Sequence, residues 1–550
     1  MAPPAPAAGA LPAEAAAIGP LRPGAPRAGT VPSAAGATPW LIAPVVALAA
    51  FMEVLDISIA NVALQHIAGS LAAGAEESAW VLTSYLVANA IVLPLSGWLS
   101  SVIGRKRFFM GCIAGFSATS LLCGLAPNLT SLIVFRTLQG ATGGGLQPSS
   151  QAILTDAFPP AQRGMALALY GIAVVFAPAI GPTLGGWITD NFSWRWVFLI
   201  NVPVGAVLLL LTVQFVHDSA EMVAARLRKL RAGIRIDYLG FGLLALGLGC
   251  LQVVLDKGQQ DNWFDTAYIG YLSATAAAAV VGFVLWELRR ADPIVDLHLL
   301  RDRNFAIANL LMFMLGFILM GSTVLLPLFV QTLLGYTAMD AGLVISPGGF
   351  LIMLVMPIVG ALVSRLDVRW LIVFGLMVCS GALLYMSHFD LGVDYTTIAA
   401  TRAVQAVGLA FLFIPINTAA YAHVSPAKSG NASALINLAR NLGGSVGIAM
   451  AVTLLQRRAQ VHQSHLVSHL TPYDPAYNDF LAGLSRRFAE EGGGAAHALH
   501  QAQGVLQQVV HEQATMLAYI DDFRFLAAIF VALIPLVFLM QRGAARGGAH

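Results

Sequence analysis

Two carboxylates, Glu53 and Asp56, stand three residues apart in an otherwise almost wholly apolar run. That spacing is close to one helical turn, so both project from one face of a helix. A charge at mid-membrane costs about 2.5–3.5 kcal/mol, and such groups normally face a cavity or a partner. Two carboxylates crowded in a low-dielectric cavity repel. Repulsion raises the proton affinity of at least one of them and suits it to bind and release a proton near neutral pH. The plainer alternative is that one carboxylate merely pairs with Arg136, whose permanently charged guanidinium lies inside a later apolar run. Arg136 itself reads either as a partner of that carboxylate or as an arginine snorkelling to the interface. Arg402 and Arg440 lie at comparable positions or depths in the second half of the chain.

The elements that must position these charges are apolar runs long enough to cross a bilayer. About fourteen are expected, near residues 40–64, 79–100, 108–126, 130–154, 165–189, 195–216, 237–255, 267–288, 304–330, 341–363, 370–388, 396–420, 430–455 and 520–540. An apolar helix needs roughly 20 residues to span the hydrocarbon, and a lipid-exposed open sheet or loop would leave backbone groups unsatisfied there. The expected fold class is therefore all-α integral membrane. Of the 550 residues 57% are hydrophobic and 11% charged, which sets aside a water-soluble domain. The formal net charge of +2 comes from Lys and Arg in the connections between runs, so no basic face suggests nucleic acid.

Residues 1–39, rich in Ala, Pro and Gly, read as a disordered tail. The first apolar run is too long for a signal-peptide core and is expected to remain as helix 1. With the N-terminus inside, Arg105, Lys106, Arg107, Arg163, Arg226, Arg228, Arg301, Arg365, Arg369 and Lys428 all fall on one side. The opposing short connections hold only Arg195, Lys257 and Arg524. The positive-inside rule then places both termini in the cytoplasm and a long polar loop, 458–517, outside.

A weak repeat is present. The stretch from Gly97 to Arg105 is echoed from Gly360 to Arg369, and Arg136-x-x-Gln139 is echoed by Arg402-x-x-Gln405. Parallel duplication with a site between the halves is a transporter architecture. The expected division is a six-helix bundle over 40–216, connections and two inserted helices over 217–303, and a second six-helix bundle over 304–550.

Other signals are weak. No Gly-Lys-Ser/Thr sequence occurs, so a P-loop is excluded. His462, His465 and His469 share a helical face at ligand-like spacing, but without a neighbouring cysteine or carboxylate a polar helical extension is preferred and no metal is expected. The four cysteines lack ligand spacing and read as core residues.

Four stretches carry a family resemblance: the run from Phe51 through Asp56 and Asn61 to Leu64; GWLSSVIGRKR from Gly97; RTLQGATGGG from Arg136; and APAIGPTLGGWITD from Ala177, followed by WRWVFLINVPVG. In this order and spacing they resemble the major facilitator superfamily, specifically the fourteen-helix drug:proton antiporters of the EmrB/QacA type. LDKGQQDNWF over 255–264 and DPIVDLHLLRDRNF over 292–305 extend the likeness toward EmrB-type exporters. The resemblance implies a major facilitator fold and a proton-driven exporter of lipophilic or amphipathic compounds in the bacterial inner membrane. It implies no enzymatic reaction and no cofactor. Asp56, Glu53 and Arg136 are then the expected proton-coupling residues, with Arg402 and Arg440 as second-half candidates.

Gly97, Gly104, Arg105 and Asp156 are the expected gating residues. The family's loop Asp is replaced by Ser101, so the gate is expected to use Asp156 against Arg105 or Arg107. Pro178, Gly181, Pro182, Gly185 and Gly186 form the antiporter motif, expected to shape the seal and rocking axis and otherwise a helix-packing groove. The long outer loop resembles that of exporters working with a periplasmic membrane-fusion adaptor and an outer-membrane channel; its alternative is a lid over the outer cavity. The rival functions are a dedicated exporter of one metabolite, such as a fatty acid or siderophore, and a transport-dead sensor or scaffold.

Overall fold

The computed structural model describes residues 39–159, 162–218, 220–231, 237–290, 293–425, 428–471, 473–490 and 494–541, so the tail expected over 1–39 lies almost wholly outside the described residues. Among them there are helices and short 3-10 turns and no strand. In chain order the first helices are α1 (Pro39–Ser70), α2 (Ala75–Ile103) and α3 (Arg105–Gly124). The α2–α3 turn is a single residue, Gly104, at φ +99°, where an L side chain would be strained.

The run expected as one helix over 130–154 is broken into α4 (Leu129–Gly143) and α5 (Leu146–Ala157). Gly143, Gly144 and Gly145 supply weak helix propensity, and Pro148 lacks the N–H that would bond back across the break. A long α6 (Arg163–Asn191) follows, bent by 46° between Pro178 and Ile180. The next run forms one span, α7 (Trp196–Leu199) continuing through the helical Ile200 into α8 (Asn201–Phe215), with Pro203 in the first turn of α8.

A short α9 (Ala220–Arg231) leads to α10 (Tyr238–Lys257) and α11 (Ala267–Arg289), then α12 (Arg303–Thr332), α13 (Ala338–Leu362), α14 (Val368–Met386) and α15 (Tyr395–Tyr421). Aspartates start several of these. Asp237, Asp302 and Asp367 accept the backbone N–H of Gly240, Phe305 and Arg369 at 2.9, 2.8 and 3.0 Å, satisfying donors that a helix start leaves open.

The chain ends with α16 (Ser429–His469), α17 (Pro475–Glu490) and α18 (Ala495–Phe538). The segment expected as an outer loop over 458–517 is thus mostly helical. Residues 448–469 contain neither Pro nor Gly, so α16 propagates past its apolar part without a stop signal. The amphipathic α17 rests on α18 and buries little beyond Leu481. His462 does meet a carboxylate: its Nε2 lies 2.9 Å from Asp521 of α18 and ties the two extensions together.

Among the described residues eleven helices are long and apolar enough to cross a membrane, with α7 and α8 counted as one, or twelve when the bent α6 counts as one span. The two further apolar runs are the broken α4–α5 and the end of α18, which is headed by Asp521, Asp522 and Arg524. Burial ranks the helices: 72% of the apolar window of α15 is buried, and 61% of those of α1 and α12, against 22% for α11. The charges of α1 and α15 therefore sit in the middle of the bundle, whereas α11 offers most of its surface to lipid.

Candidate functional site

Asp56 and Arg136 meet at the centre of the first half. The Arg136 Nη1 lies 2.6 Å from Asp56 Oδ2, and neither side chain is exposed at all. Arg136 also donates to the Val81 carbonyl at 3.1 Å and to Gln139 Oε1 at 2.8 Å. Its guanidinium lies 4.2 Å from the Tyr85 ring centroid and 5.4 Å from that of Phe198. Asp56 Oδ1 accepts from Asn201 at 2.7 Å and from Gln139 at 3.1 Å, and both amides share Ser120 Oγ. Asn201 stands at the start of α8, on the face turned toward α1.

This is a fully desolvated ion pair whose remaining lone pairs are met by neutral amides. Protonating Asp56 would free the guanidinium to re-partner with Gln139, the Val81 carbonyl and two ring faces, all already in contact. Gln139 stands out in the sequence only through the Arg-x-x-Gln repeat, and Asn201 and Ser120 not at all. The latter two are polar residues inside apolar runs, but single amides and hydroxyls are common enough there that neither stands out.

Glu53, one turn toward the start of α1, does not join this pair. Its Oε1 accepts from Asn89 of α2 at 2.9 Å, and its Oε2 has no hydrogen-bond partner among the described residues. Beside it lie Gln147 of α5 and, from the second half, Arg440, which donates to Gln147 Oε1 and bears electrostatically on Glu53. A polar layer continues from there between the halves. Gln151 accepts from Asn437 at 2.7 Å and Ser433 at 3.1 Å, and Tyr421 donates to it at 3.3 Å.

At the basic end of the helices Arg105 forms an ion pair with Asp156, while Arg107 is exposed. Arg105 Nη2 donates to Ser429 Oγ of α16 at 3.2 Å, and Ser429 donates to Asp156 Oδ1 at 3.0 Å, so a residue of the second half closes the pair. Gly97 of α2 packs on Asn431: a side chain there would stand 3.0 Å from the Asn431 Cα. Gly164 of α6 and Gly360 of α13 pack on each other's carbonyls in the same way, at 2.9 and 3.0 Å. The two halves thus touch at this end through backbone and a bridged ion pair. Ser101 is exposed, and its hydroxyl donates to the Trp98 carbonyl at 2.7 Å. Asp218, unremarkable in the sequence, instead accepts the Lys106 N–H at 2.9 Å at the start of α3.

The antiporter-motif residues cross α1. A side chain on Gly181 would collide with Ser58, and one on Gly185 would stand 3.2 Å from Ile59, whereas Gly186 meets nothing within 4 Å. The packing reason extends to Gly181 and Gly185 but not to Gly186. Pro178 and Pro182 lie around the bend of α6, with Ser58 donating to the Pro178 carbonyl at 3.5 Å.

The second half repeats the arginine–glutamine device without its acid. Arg402 of α15 donates to Gln405 at 2.6 Å as Arg136 does to Gln139. Where Asp56 would stand, it meets hydroxyls of α12, Ser322 at 3.3 Å and Thr323 at 3.0 Å.

Comparison with known proteins agrees with this architecture. The family model described as Major Facilitator Superfamily matches residues 46–448. The fatty acid resistance protein FarB of Neisseria gonorrhoeae is 38% identical over 91% of this chain and 96% of its own length. The multidrug export protein EmrB of Escherichia coli K12 is 36% identical over 92% and 96%. The colistin resistance protein EmrB of Acinetobacter baumannii is 30% identical over 92% and 97%. Among solved structures, the human organic anion transporter MFSD10 superposes with a TM-score of 0.55 at 14% identity, covering 91% of this chain and 99% of that one, a likeness of fold. With its several apolar spans and these EmrB-type relatives, the chain belongs to the major facilitator superfamily and is a multipass membrane transporter of the efflux kind.

Proposed function

We propose that this protein is a proton-driven exporter of lipophilic or amphipathic compounds across the bacterial inner membrane. The observation that carries this reading is the fully buried Asp56–Arg136 pair, in which the same guanidinium nitrogen also holds Gln139. A transport-dead scaffold has no use for so costly an arrangement. An inward proton delivers about 2.3 kcal/mol per 100 mV of membrane potential.

In the proposed cycle a proton reaching Asp56 releases Arg136, and Glu53 passes the change to the other half through Gln147 and Arg440. The halves then rock against each other. The Arg105–Asp156–Ser429 lock closes the basic end, which we place in the cytoplasm with both termini. The apolar runs are read as fourteen spans: two six-span bundles with α10 and α11 inserted between them. The relatives' names run from fatty acids to colistin, which favours an amphipathic substrate class over a single compound.

The test is a substrate panel in proteoliposomes with an imposed pH gradient. Uphill accumulation of several unrelated amphiphiles is expected. Accumulation of one alone would make the protein a dedicated metabolite exporter, and none at all would refute transport.

The helical extension formed by the ends of α16 and α18 with α17 is read as the dock for a periplasmic membrane-fusion adaptor that leads to an outer-membrane channel. It is polar, stands beyond the apolar spans, and is braced by the His462–Asp521 contact. Replacing residues 466–512 with a short linker should leave vesicle transport near normal while adaptor co-purification and whole-cell resistance fall. Normal co-purification would place the adaptor's grip on the membrane helices instead.

A further inference from the structure

The buried cations of this molecule are not treated alike. Arg105 pairs with Asp156 and Arg136 with Asp56, whereas Arg440 donates to the amide of Gln147 and forms no ion pair among the described residues. Arg402 is equally buried and likewise forms no ion pair among the described residues. Its acceptors are one amide oxygen and two hydroxyls, all neutral.

The repeat sharpens this. Arg136 and Arg402 each grip a glutamine one turn on, but the first half then supplies a carboxylate and the second supplies only Ser322 and Thr323. The second half is thus an oxyanion clamp with its oxyanion missing. A small cavity opens on it, lined by Val175 and Pro178 of α6, Leu319 of α12, Ile345 of α13 and Ala406 of α15, so both halves contribute and all but the arginine end is apolar. Its free space, about 20 Å³, admits only a water or so, enough for the tip of a headgroup but not for a tail until α6 and α13 part. Gly348 keeps this end open: a side chain there would stand 3.2 Å from Ala406 Cβ and 3.6 Å from Arg402 Cγ.

We propose that Arg402, with Thr323 and Ser322, binds the carboxylate of an anionic amphiphile whose apolar tail lies between α6 and α13. The inference rests on the exporter reading for its physiological meaning and names the substrate class of the cavity between the halves. A guanidinium can take a carboxylate through two parallel N–H bonds, a geometry lysine cannot reproduce. In a dry cavity this contact favours an anion and disfavours a cation with the same tail.

Binding to the full chain in lipid nanodiscs, without any pH gradient, tests it with two probes that share a tail: dodecanoate and dodecyltrimethylammonium. Arg402→Gln should raise the Kd for dodecanoate at least about tenfold and leave the cation as tight or tighter, with Arg402→Lys between. Gly348→Val, which keeps the charge and fills the cavity end, should weaken dodecanoate binding too, and with Arg402→Lys it carries the test should the glutamine variant fail to assemble. Unchanged dodecanoate affinity, or an equal loss for both probes, would overturn the proposal. Arg402-dependent binding in a protein that transports nothing would refute the exporter reading and leave this site standing. Transport of dodecanoate indifferent to Arg402 would do the reverse.

Discussion

Asp56→Asn is expected to abolish accumulation against a gradient while the protein still inserts and folds. The substituted amide keeps the shape of the carboxylate and can still accept from Asn201 and Gln139, which now reach Asp56 at 2.7 and 3.1 Å. It can neither gain nor lose a proton, and it leaves the Arg136 guanidinium buried without a counter-charge. Breaking one side of a buried pair costs about 3–5 kcal/mol, so a lower melting temperature should accompany the loss of coupling. The two effects are separable. Adding Arg136→Gln to Asp56→Asn removes the stranded charge and should restore much of the stability but none of the uphill transport. Arg136→Lys alone should retain partial coupling, because a point charge can meet Asp56 but cannot also hold Gln139 and the Val81 carbonyl in one plane. The measurement is substrate accumulation in proteoliposomes under an imposed pH gradient, beside a thermal melt. Retained accumulation in Asp56→Asn would move the proton-carrying role to Glu53, whose unpartnered Oε2 already makes it the next candidate.

What could be read from the sequence follows from how rare a feature is in its surroundings. A carboxylate or a guanidinium inside an apolar run is expensive, so Glu53, Asp56, Arg136, Arg402 and Arg440 were visible before any fold was known. Charge left the acid–arginine partnership as one of two readings, the other an arginine snorkelling to the interface. Which amides complete the pair was not legible, since Asn201 comes from a helix 145 residues further on and only packing decides which of its faces turns toward Asp56. The interruption between α4 and α5 was hidden too, since a break depends on how neighbouring helices re-satisfy the freed backbone groups.

At the basic end, charge could not choose between Arg105 and Arg107. Two residues apart on a helix they point to different sides, and only packing decides which turns inward. The outer segment reads as a long polar connection with a helical extension, and how far its helices run was the part not legible. Polar residues without Pro or Gly continue a helix well when its first turns are already formed inside the bundle.

Gly97→Leu should stop the cycle at its other end. α2 and α16 cross so closely at the basic end that an added side chain would press on the Asn431 backbone, 3.0 Å away at both N and Cα. Backbone at a helix crossing cannot swing aside as a flexible side chain can, so α16 must move outward. Ser429 would move with it, lengthening its 3.2 Å bond from Arg105 and its 3.0 Å bond to Asp156. Overpacking of this kind costs about 1–3 kcal/mol, here charged only to the closed arrangement, which shifts the gate equilibrium toward open about 5- to 150-fold. Binding of substrate from the open side should survive while net transport falls by a comparable factor. A cysteine in place of Ser433, fully buried between the halves, reports the gate. In the parent protein it should resist a membrane-impermeant maleimide, and in the Gly97→Leu background it should label, from the cytoplasmic face only. Labelling from the opposite face would reverse the orientation assigned to the basic end. Continued protection of Ser433→Cys together with undiminished transport would mean that the α2–α16 crossing is passive packing, leaving Arg105 and Asp156 to hold that end alone.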